Sequence, residues 1–465
     1  MLGMKKSCVV VGGGLSGLFS SILLADVFEN VYLIETEKTC GGLLRSVQDE
    51  AGVVYDQGSH IPNTTMVPEI DNILFGLESE RYKTWNKLGR LKTGHYFNGK
   101  WNLETQLVDT RNLPSQIYEK GIVELLSRSE KSAATDVASY LEQTIGPTFT
   151  EEIVFPLIKK LYGANVALDS LETNSSVNYF GLTRLLGLNA EVTNKLKELE
   201  AFDDKLGYHL MSDADERFKR DAVPECTYYY PRDNKGVQGW VDSLIEQAKS
   251  KNVVFLTEEH VSQIEHQDNS ITSITLGNSK KSIDCDFLYW SAPPVFALKA
   301  AGFELEKTKV DFRTANIFHF NFDKPILNIE SHYIWNWDIN AKSFRVTLFP
   351  NLRQNEKEKK IFNLSIEALS GRDDAELITA DDMLKELVEM ELISEDAKVL
   401  SQLRQTIHNT FPVPTFEQST ATSRNYQQLI NSFDNISVSG RFSGKQWLHA
   451  DVLKSAYEDI KGRFS

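Results

Sequence analysis

The chain has 465 residues, 41% of them hydrophobic and 25% charged, with a formal net charge of -15. That length exceeds the needs of one ordinary core, so at least two domains are expected, and the composition excludes a disordered or fibrous chain. The acidity disfavours nucleic acid, whose phosphates are bound by clustered Lys and Arg, and disfavours broad contact with anionic lipid.

Read in chain order, Lys6 to Val11 is a short buried strand, and Leu15 to Phe28 carries apolar residues at helical spacing (Leu15, Leu18, Phe19, Ile22, Leu23, Val27). The stretch "GGGLSG" therefore falls at a strand-to-helix turn, the context a dinucleotide site needs. Gly12 permits the tight turn, Gly14 lets the backbone approach a pyrophosphate, and Gly17 lets the helix pack close on the strand. The N–H groups around Leu15 and Ser16, at the helix start, are offered to the anion. A second strand, "VYLIE", ends at Glu35, about 20 residues beyond the glycines, where an acid accepts the ribose hydroxyls and disfavours a 2'-phosphate. NAD and FAD share this half of a site.

Cys8, Cys40, Cys226 and Cys285 have no paired spacing, which points to buried thiols in a reducing compartment and to no metal site. The apolar run after Lys5 and Lys6 is too short for a secretory leader, and no run is long enough to cross a bilayer. A cytoplasmic protein with no integral membrane anchor is expected.

Residues 76–225 are mostly helical in pattern: Val137, Tyr140, Leu141, Thr144 and Ile145 line one face of a helix that Gly146-Pro147 stops, and "EEIVFPLIKKLYG" supplies another. From Tyr228 onward come an aromatic strand, a glycine turn, an amphipathic helix over Val237 to Ala248, the strand "NVVFL" and another through Val261. "CDFLYWSAPP" is a further strand with a hinge at Ser291 to Pro294. Residues 301–404 begin with strands, in which Phe318, Phe320 and Phe322 alternate on one face and Tyr333, Trp335 and Trp337 on another, and end in the helix "TADDMLKELVEMELI". The last stretch, "NISVSGRFSGKQWLHADVLKSAYEDI", gives a buried strand to Val438, then Gly440-Arg441, then a helix from about Ala450-Asp451. This order predicts an α/β fold: a Rossmann-like domain assembled from 1–75, 226–300 and 405–465, with an inserted α+β substrate domain made of 76–225 and 301–404.

"TEKTCGGLLRS" follows Glu35 directly. It resembles the second glycine signature of flavoproteins of the amine oxidase, protoporphyrinogen oxidase and UDP-galactopyranose mutase superfamily. The resemblance implies FAD, a glutathione-reductase-like FAD-binding domain and a small-molecule substrate. It implies that Gly41, Gly42, Leu43 and Arg45 wrap the pyrophosphate, with Leu44 where the family often has Arg, and that the backbone of Val261 pairs with the adenine half. "YDQGSHIPNTT" is similar to the family's turn beside the flavin middle ring, which places Gly58, Ser59 and His60 there, with His60 near N5. Gly440 and Arg441 match the family's pyrophosphate-binding pair, and Leu448, Asp451 and Val452 begin a helix aimed at the flavin, where a positive helix end stabilises the reduced ring. Trp447 and His449 fall near the ring edge.

"FRVTLFPN" and "FPVPTFEQ" resemble the mutase branch, in which an arginine at the Arg345 position grips the substrate diphosphate with a planar fork. "GRFSGKQW" carries extra residues between Phe442 and Trp447, and "FPN" replaces a serine-containing sequence. Two reactions are therefore carried forward, with His60 and Arg345 as the catalytic candidates. One is hydride transfer from an amine, porphyrinogen-like or sugar-derived substrate to flavin N5. The other is a redox-neutral isomerisation of a nucleotide sugar over reduced FAD. A homodimer is compatible with both. A non-catalytic scaffold is disfavoured, since Glu35 and Gly440-Arg441 are both intact.

Overall fold

The computed structural model describes residues 5–223, 225–306, 308–353 and 360–464. Five short apolar runs form one parallel sheet, in the spatial order Ile436–Val438, Phe287–Trp290, Lys5–Val11, Phe28–Ile34, Val254–Leu256. Because successive side chains leave a strand on opposite faces, Cys8 and Val10 join one core and Val9 and Val11 another. The first core packs under the helices Leu15–Leu24, Gln238–Ser250 and His449–Phe464. The second lies under an antiparallel meander (Val261–Gln267, Ser270–Leu276, Ser282–Asp284) and the helices Pro294–Ala300 and Phe416–Ser432. From Val11 the chain crosses to Phe28–Ile34 on one side, whereas Phe287–Trp290 lies on the other. This reversal of strand order opens a crevice at the carboxyl ends of the strands, where an α/β sheet binds its ligand.

The helical spacing predicts a first helix through Phe28, but the helix ends at Leu24. The Val27 N–H donates to the Leu24 carbonyl at 2.9 Å and turns the chain, and Phe28 starts the next strand beside Lys5. Its ring centroid lies 5.9 Å from that of Phe287 and 5.3 Å from that of Phe464. These tertiary contacts override the local helical pattern.

A second sheet has seven strands, ordered Val399–Pro412, Phe312–Phe322, Phe362–Ser370, Ser343–Leu348, Tyr333–Asn336, Thr93–Phe97, Lys100–Asn102. Helices cover both faces. Ala315 and Ile317 pack with the helical residues 113–206, and Phe318, Phe320 and Phe322 with the helix Ala380–Glu389. The stretch read as mostly helical thus also gives three strands, Trp85–Gly89, Thr93–Phe97 and Lys100–Asn102, the last two joined by Asn98-Gly99 with φ of 52° and 75°, the left-handed pair that a tight hairpin demands. The edge strand Val399–Pro412 runs through positions 404 and 405 without interruption.

Within the helical layer, fully buried Lys205 donates from Nζ to the carbonyls of Leu125 at 2.8 Å and Thr144 at 3.4 Å, and also to that of Arg128. These carbonyls close the helices Ser115–Ser127 and Val137–Thr144, so one cation serves two negative helix ends. Burial still pulls its pKa down to about 8. No helix among the described residues is long and apolar enough to cross a membrane.

The seating of the first helix is testable at Gly17. A Cβ there would lie 1.8 Å from the Gly12 carbonyl oxygen, whereas one at Gly462, inside the last helix, meets nothing within 4 Å. Gly17→Ala is expected to cost about 2–3 kcal/mol by overpacking and Gly462→Ala to add up to about 1 kcal/mol, both read by denaturant unfolding.

Candidate active site

Four turns meet at the crevice. Gly12 (φ 101°) leaves the first strand with its α-carbon against Ser291, and an added Cβ would fall 2.4 Å from the Ser291 hydroxyl. Gly440 (φ 91°) leaves the last strand against the same residue, where an added Cβ would fall 2.7 Å from the Ser291 carbonyl. Ser291, read in sequence only as part of a hinge, is therefore the post between two glycine turns. Its hydroxyl donates to the Val11 carbonyl at 2.8 Å. The third turn docks on the first through the Gly41 N–H, which donates to the Gly13 carbonyl at 2.8 Å. Gly42, with φ of 57°, has room for a Cβ only 3.4 Å from the Gly14 α-carbon. Side chains at Gly12 or Gly440 would push these turns away from Ser291.

Glu35 lies where the second strand ends. One carboxylate oxygen accepts the Gly13 N–H at 2.7 Å and the other the Glu37 N–H at 2.9 Å, which fixes the acid across the mouth of the glycine turn with lone pairs to spare. Ser16 is turned inward, its hydroxyl 2.9 Å from that of Tyr289, so it offers the crevice only its backbone. Leu15 and Leu43 are half-buried at the same mouth, and Arg45 bends back to donate to the Gly42 carbonyl at 3.0 Å, with Glu37 at 3.5 Å as ion-pair partner. Val261 opens a strand two residues after Glu259, whose N–H donates to the Glu35 carbonyl at 3.0 Å.

The fourth turn, Gly58-Ser59-His60, enters the other end of the crevice. A Cβ added to Gly58 (φ 97°) would have Glu367, Arg345 and His60 as its nearest side chains, at 3.3, 3.6 and 3.6 Å. The Ser59 hydroxyl and the Nε2 of His449 are both buried with no hydrogen-bond partner. His449 begins the last helix, with Asp451 exposed in its first turn, Val452 buried, and the Val452 N–H on the Leu448 carbonyl at 3.1 Å. Burial, then the Arg345 and Arg441 charges, push the His60 pKa down to about 3, and burial takes His449 to about 4, so both rings are neutral at physiological pH. Deep as it lies, His60 keeps part of its surface accessible.

Arg345 stands mid-sheet, directly across from Glu367 on one neighbouring strand and from Trp335 on the other. Its Nε and Nη2 donate to the two Glu367 oxygens, both at 2.8 Å, a bidentate pair in which Glu367 is 2% exposed. Burial opposes the charge, but pairing with Glu367 outweighs it and raises the Arg345 pKa. Arg441 has no such partner: no carboxylate lies within ion-pair distance of it among the described residues. Its guanidinium sits 3.5 Å above the Trp447 ring, and its electrostatic neighbours are Tyr179, Arg345 and Tyr162. Burial lowers its pKa to about 10. Tyr333 faces Tyr179 and Arg345 as well, and burial raises its hydroxyl to about 12.

Glu367 was not legible as a site residue, although a lone carboxylate in the apolar strand "FNLSIEALS" is a signal. Tyr179 carries no sequence cue. The alternating aromatic run belongs largely to the core: Trp335 and Trp337 stack at 4.9 Å and are 2% and 1% exposed.

Comparison with known proteins agrees with this geometry. Residues 10–73 match the family model of an NAD(P)-binding Rossmann-like domain. No curated protein sequence matches the chain. Among solved structures, that of reduced UDP-galactopyranose mutase superposes with a TM-score of 0.76 at 17% identity, covering 100% of this chain and 94% of that one. The chain shares that fold. A candidate protoporphyrinogen oxidase from Exiguobacterium sp. 255-15 follows at 0.66 and 14% identity (100% of this chain, 99% of that one). A putrescine oxidase double mutant redesigned in cofactor binding gives 0.59 and 12% (99% and 100%). The Rossmann-like α/β class expected from the glycine turn is thereby established.

Removing one partner of a buried ion pair leaves a stranded charge, so Glu367→Gln should cost about 3 kcal/mol of unfolding free energy, read by denaturant titration. Because the folded pKa values of His60 and His449 lie below the unfolded value, the unfolded chain binds protons that the folded chain refuses. Stability should therefore fall as pH drops from about 6.5 towards 4, and His60→Gln should flatten part of that fall when unfolding is followed across this range.

Proposed function

We propose that the chain is an FAD-dependent enzyme acting on an anionic small molecule, and that its reaction is a redox-neutral ring isomerisation of a nucleotide sugar. The fit to FAD is supported by what the crevice leaves open. The first helix has no side-chain cap, and a methyl on Gly14, its N-cap, would meet nothing within 4 Å. The orphaned Ser59 hydroxyl and His449 Nε2 lie at the far end. The N–H groups of Leu15 to Gly17 would hold the pyrophosphate, Glu35 the ribose, and the amino end of the last helix the ring. When bound, FAD supplies a ring that accepts or returns an electron pair and, once reduced, is nucleophilic at N5.

The observation that carries the choice of substrate is the unpaired Arg441, which the family resemblance assigns to the cofactor pyrophosphate but whose neighbours here are Tyr179, Arg345 and Tyr162. With His60 and His449 neutral, two guanidiniums face one carboxylate, Glu367, and the excess is positive. An amine would meet like charge there, while a diphosphate could take the free Nη1 of Arg345 and the whole fork of Arg441. Tyr179 and Tyr333 would exclude water around the phosphates and donate to them. Neutral His60 would hold a hydrogen bond at the ring edge without adding charge. Trp335 and Trp337 are buried in the core and offer no face to an ammonium group. The likeness to UDP-galactopyranose mutase supports the same reading.

Oxidation by hydride transfer to N5 is the second reading. It fits an anionic donor, such as a carboxylate-bearing porphyrinogen, and the likeness to a candidate protoporphyrinogen oxidase favours it. The purified chain should carry a yellow flavin band, and turnover of UDP-galactose should require prior reduction with dithionite. Bleaching by a porphyrinogen without air, together with inertness towards UDP-galactose, would instead select the oxidase. In either case Arg345→Ala and Arg441→Ala should each lower kcat/KM by about 10- to 100-fold, the worth of a lost charge-assisted contact.

A further inference from the structure

A second opening, of about 310 Å³, lies against the two-stranded antiparallel sheet formed by Trp85–Gly89 and Tyr228–Pro231. It shares no lining residue with the crevice. Its floor is Arg81, Trp85 and Tyr229, which are 8%, 6% and 6% exposed, and its rim carries Lys87, Arg232 and Tyr82. Arg81 is held by one bond, from Nε to the Gly76 carbonyl at 3.0 Å. Its guanidinium lies 5.7 and 5.9 Å from the ring centroids of Phe75 and Tyr229. Among the described residues no carboxylate pairs with Arg81, Lys87 or Arg232 within 4 Å; the Arg232 guanidinium donates to the Tyr82 carbonyl at 2.6 Å. The one acid in the lining is Glu78, so three cations converge on one acid in a chain whose net charge is -15.

A nearly buried guanidinium with no acid partner pays desolvation that an incoming anion would return. Tyr82, 66% exposed at the rim, offers an open face for a flat ring. We propose that this opening is a binding site for a phosphate ester carrying a flat ring, of the nucleoside monophosphate class. The phosphate lies on Arg81, Arg232 and Lys87, and the ring lies on Tyr82. The site stands apart from the crevice: the Trp240 ring separates them, 6.3 Å from Trp85 on one side and 6.0 Å from His449 on the other. The proposal holds whichever reaction the crevice performs.

The test is calorimetric titration of the full chain, as purified with its cofactor, using AMP as the probe and adenosine as the uncharged control. AMP is expected to bind with a Kd below about 1 mM and adenosine at least about tenfold more weakly. Arg232→Ala and Lys87→Ala, both at the exposed rim, should each weaken AMP about fivefold or more, and Arg345→Ala in the crevice should leave AMP binding unchanged. Absence of AMP binding overturns the proposal, as does equal binding of adenosine. Binding that survives both rim substitutions but is lost in Arg345→Ala would also overturn it, since the nucleotide would then occupy the crevice.

Discussion

The hydrogen bond from the Gly41 N–H to the Gly13 carbonyl is the constraint on which the crevice depends. It can form only if neither turn carries a Cβ in the way, and it brings together two pieces of chain that lie on either side of the second strand. Ser291 does the same for the turns at Gly12 and Gly440, so the ends of three parallel strands are locked by contacts too close for any side chain. The result is a helix start at Leu15 whose N-cap, Gly14, puts no side chain in front of the backbone N–H groups, which is the requirement for receiving an anion without a charged residue.

The opposite end of the crevice is built on a different principle. There a charged side chain is fixed by its cross-strand neighbour, and Arg345 is as rigid as the sheet because Glu367 faces it in register. Arg441, by contrast, is held by the flat of Trp447 and by no acid. One guanidinium is compensated and the other is not. The local excess of charge therefore comes from a single residue on the loop before the last helix, and an incoming anion would neutralise it.

Much of this was legible in the sequence where a backbone requirement leaves a compositional trace. Gly12, Gly14 and Gly17 are read from order and spacing, and Gly41, Gly42, Gly58 and Gly440 from the family resemblance; six of the seven have either a positive φ or a Cβ position already filled. Pairings across strands left no such trace. Glu367 reaches Arg345 only through the register of two strands, and Tyr179 reaches Arg441 only through the packing of a short helix, Ser176–Tyr179. The hairpin at Asn98-Gly99 did have a signal, but its strands are short and sit inside a long helical stretch, so the dipeptide was outweighed by its surroundings.

The parallel sheet also sets an order of events during synthesis. Its edge strand Ile436–Val438 pairs with Phe287–Trp290, and the turn at Gly440 and the helix that closes the crevice come later still. A nascent chain can therefore present the first glycine turn early, yet the crevice is complete only once residues 436–464 have followed. Such long sequence separation between paired strands makes folding slow, and the half-built sheet exposes an unpaired edge meanwhile. A ligand that needs all four turns can therefore be held only after the last helix has docked, and loss of residues 436–464 would remove the closing side of the crevice while leaving most of the sheet-forming sequence intact.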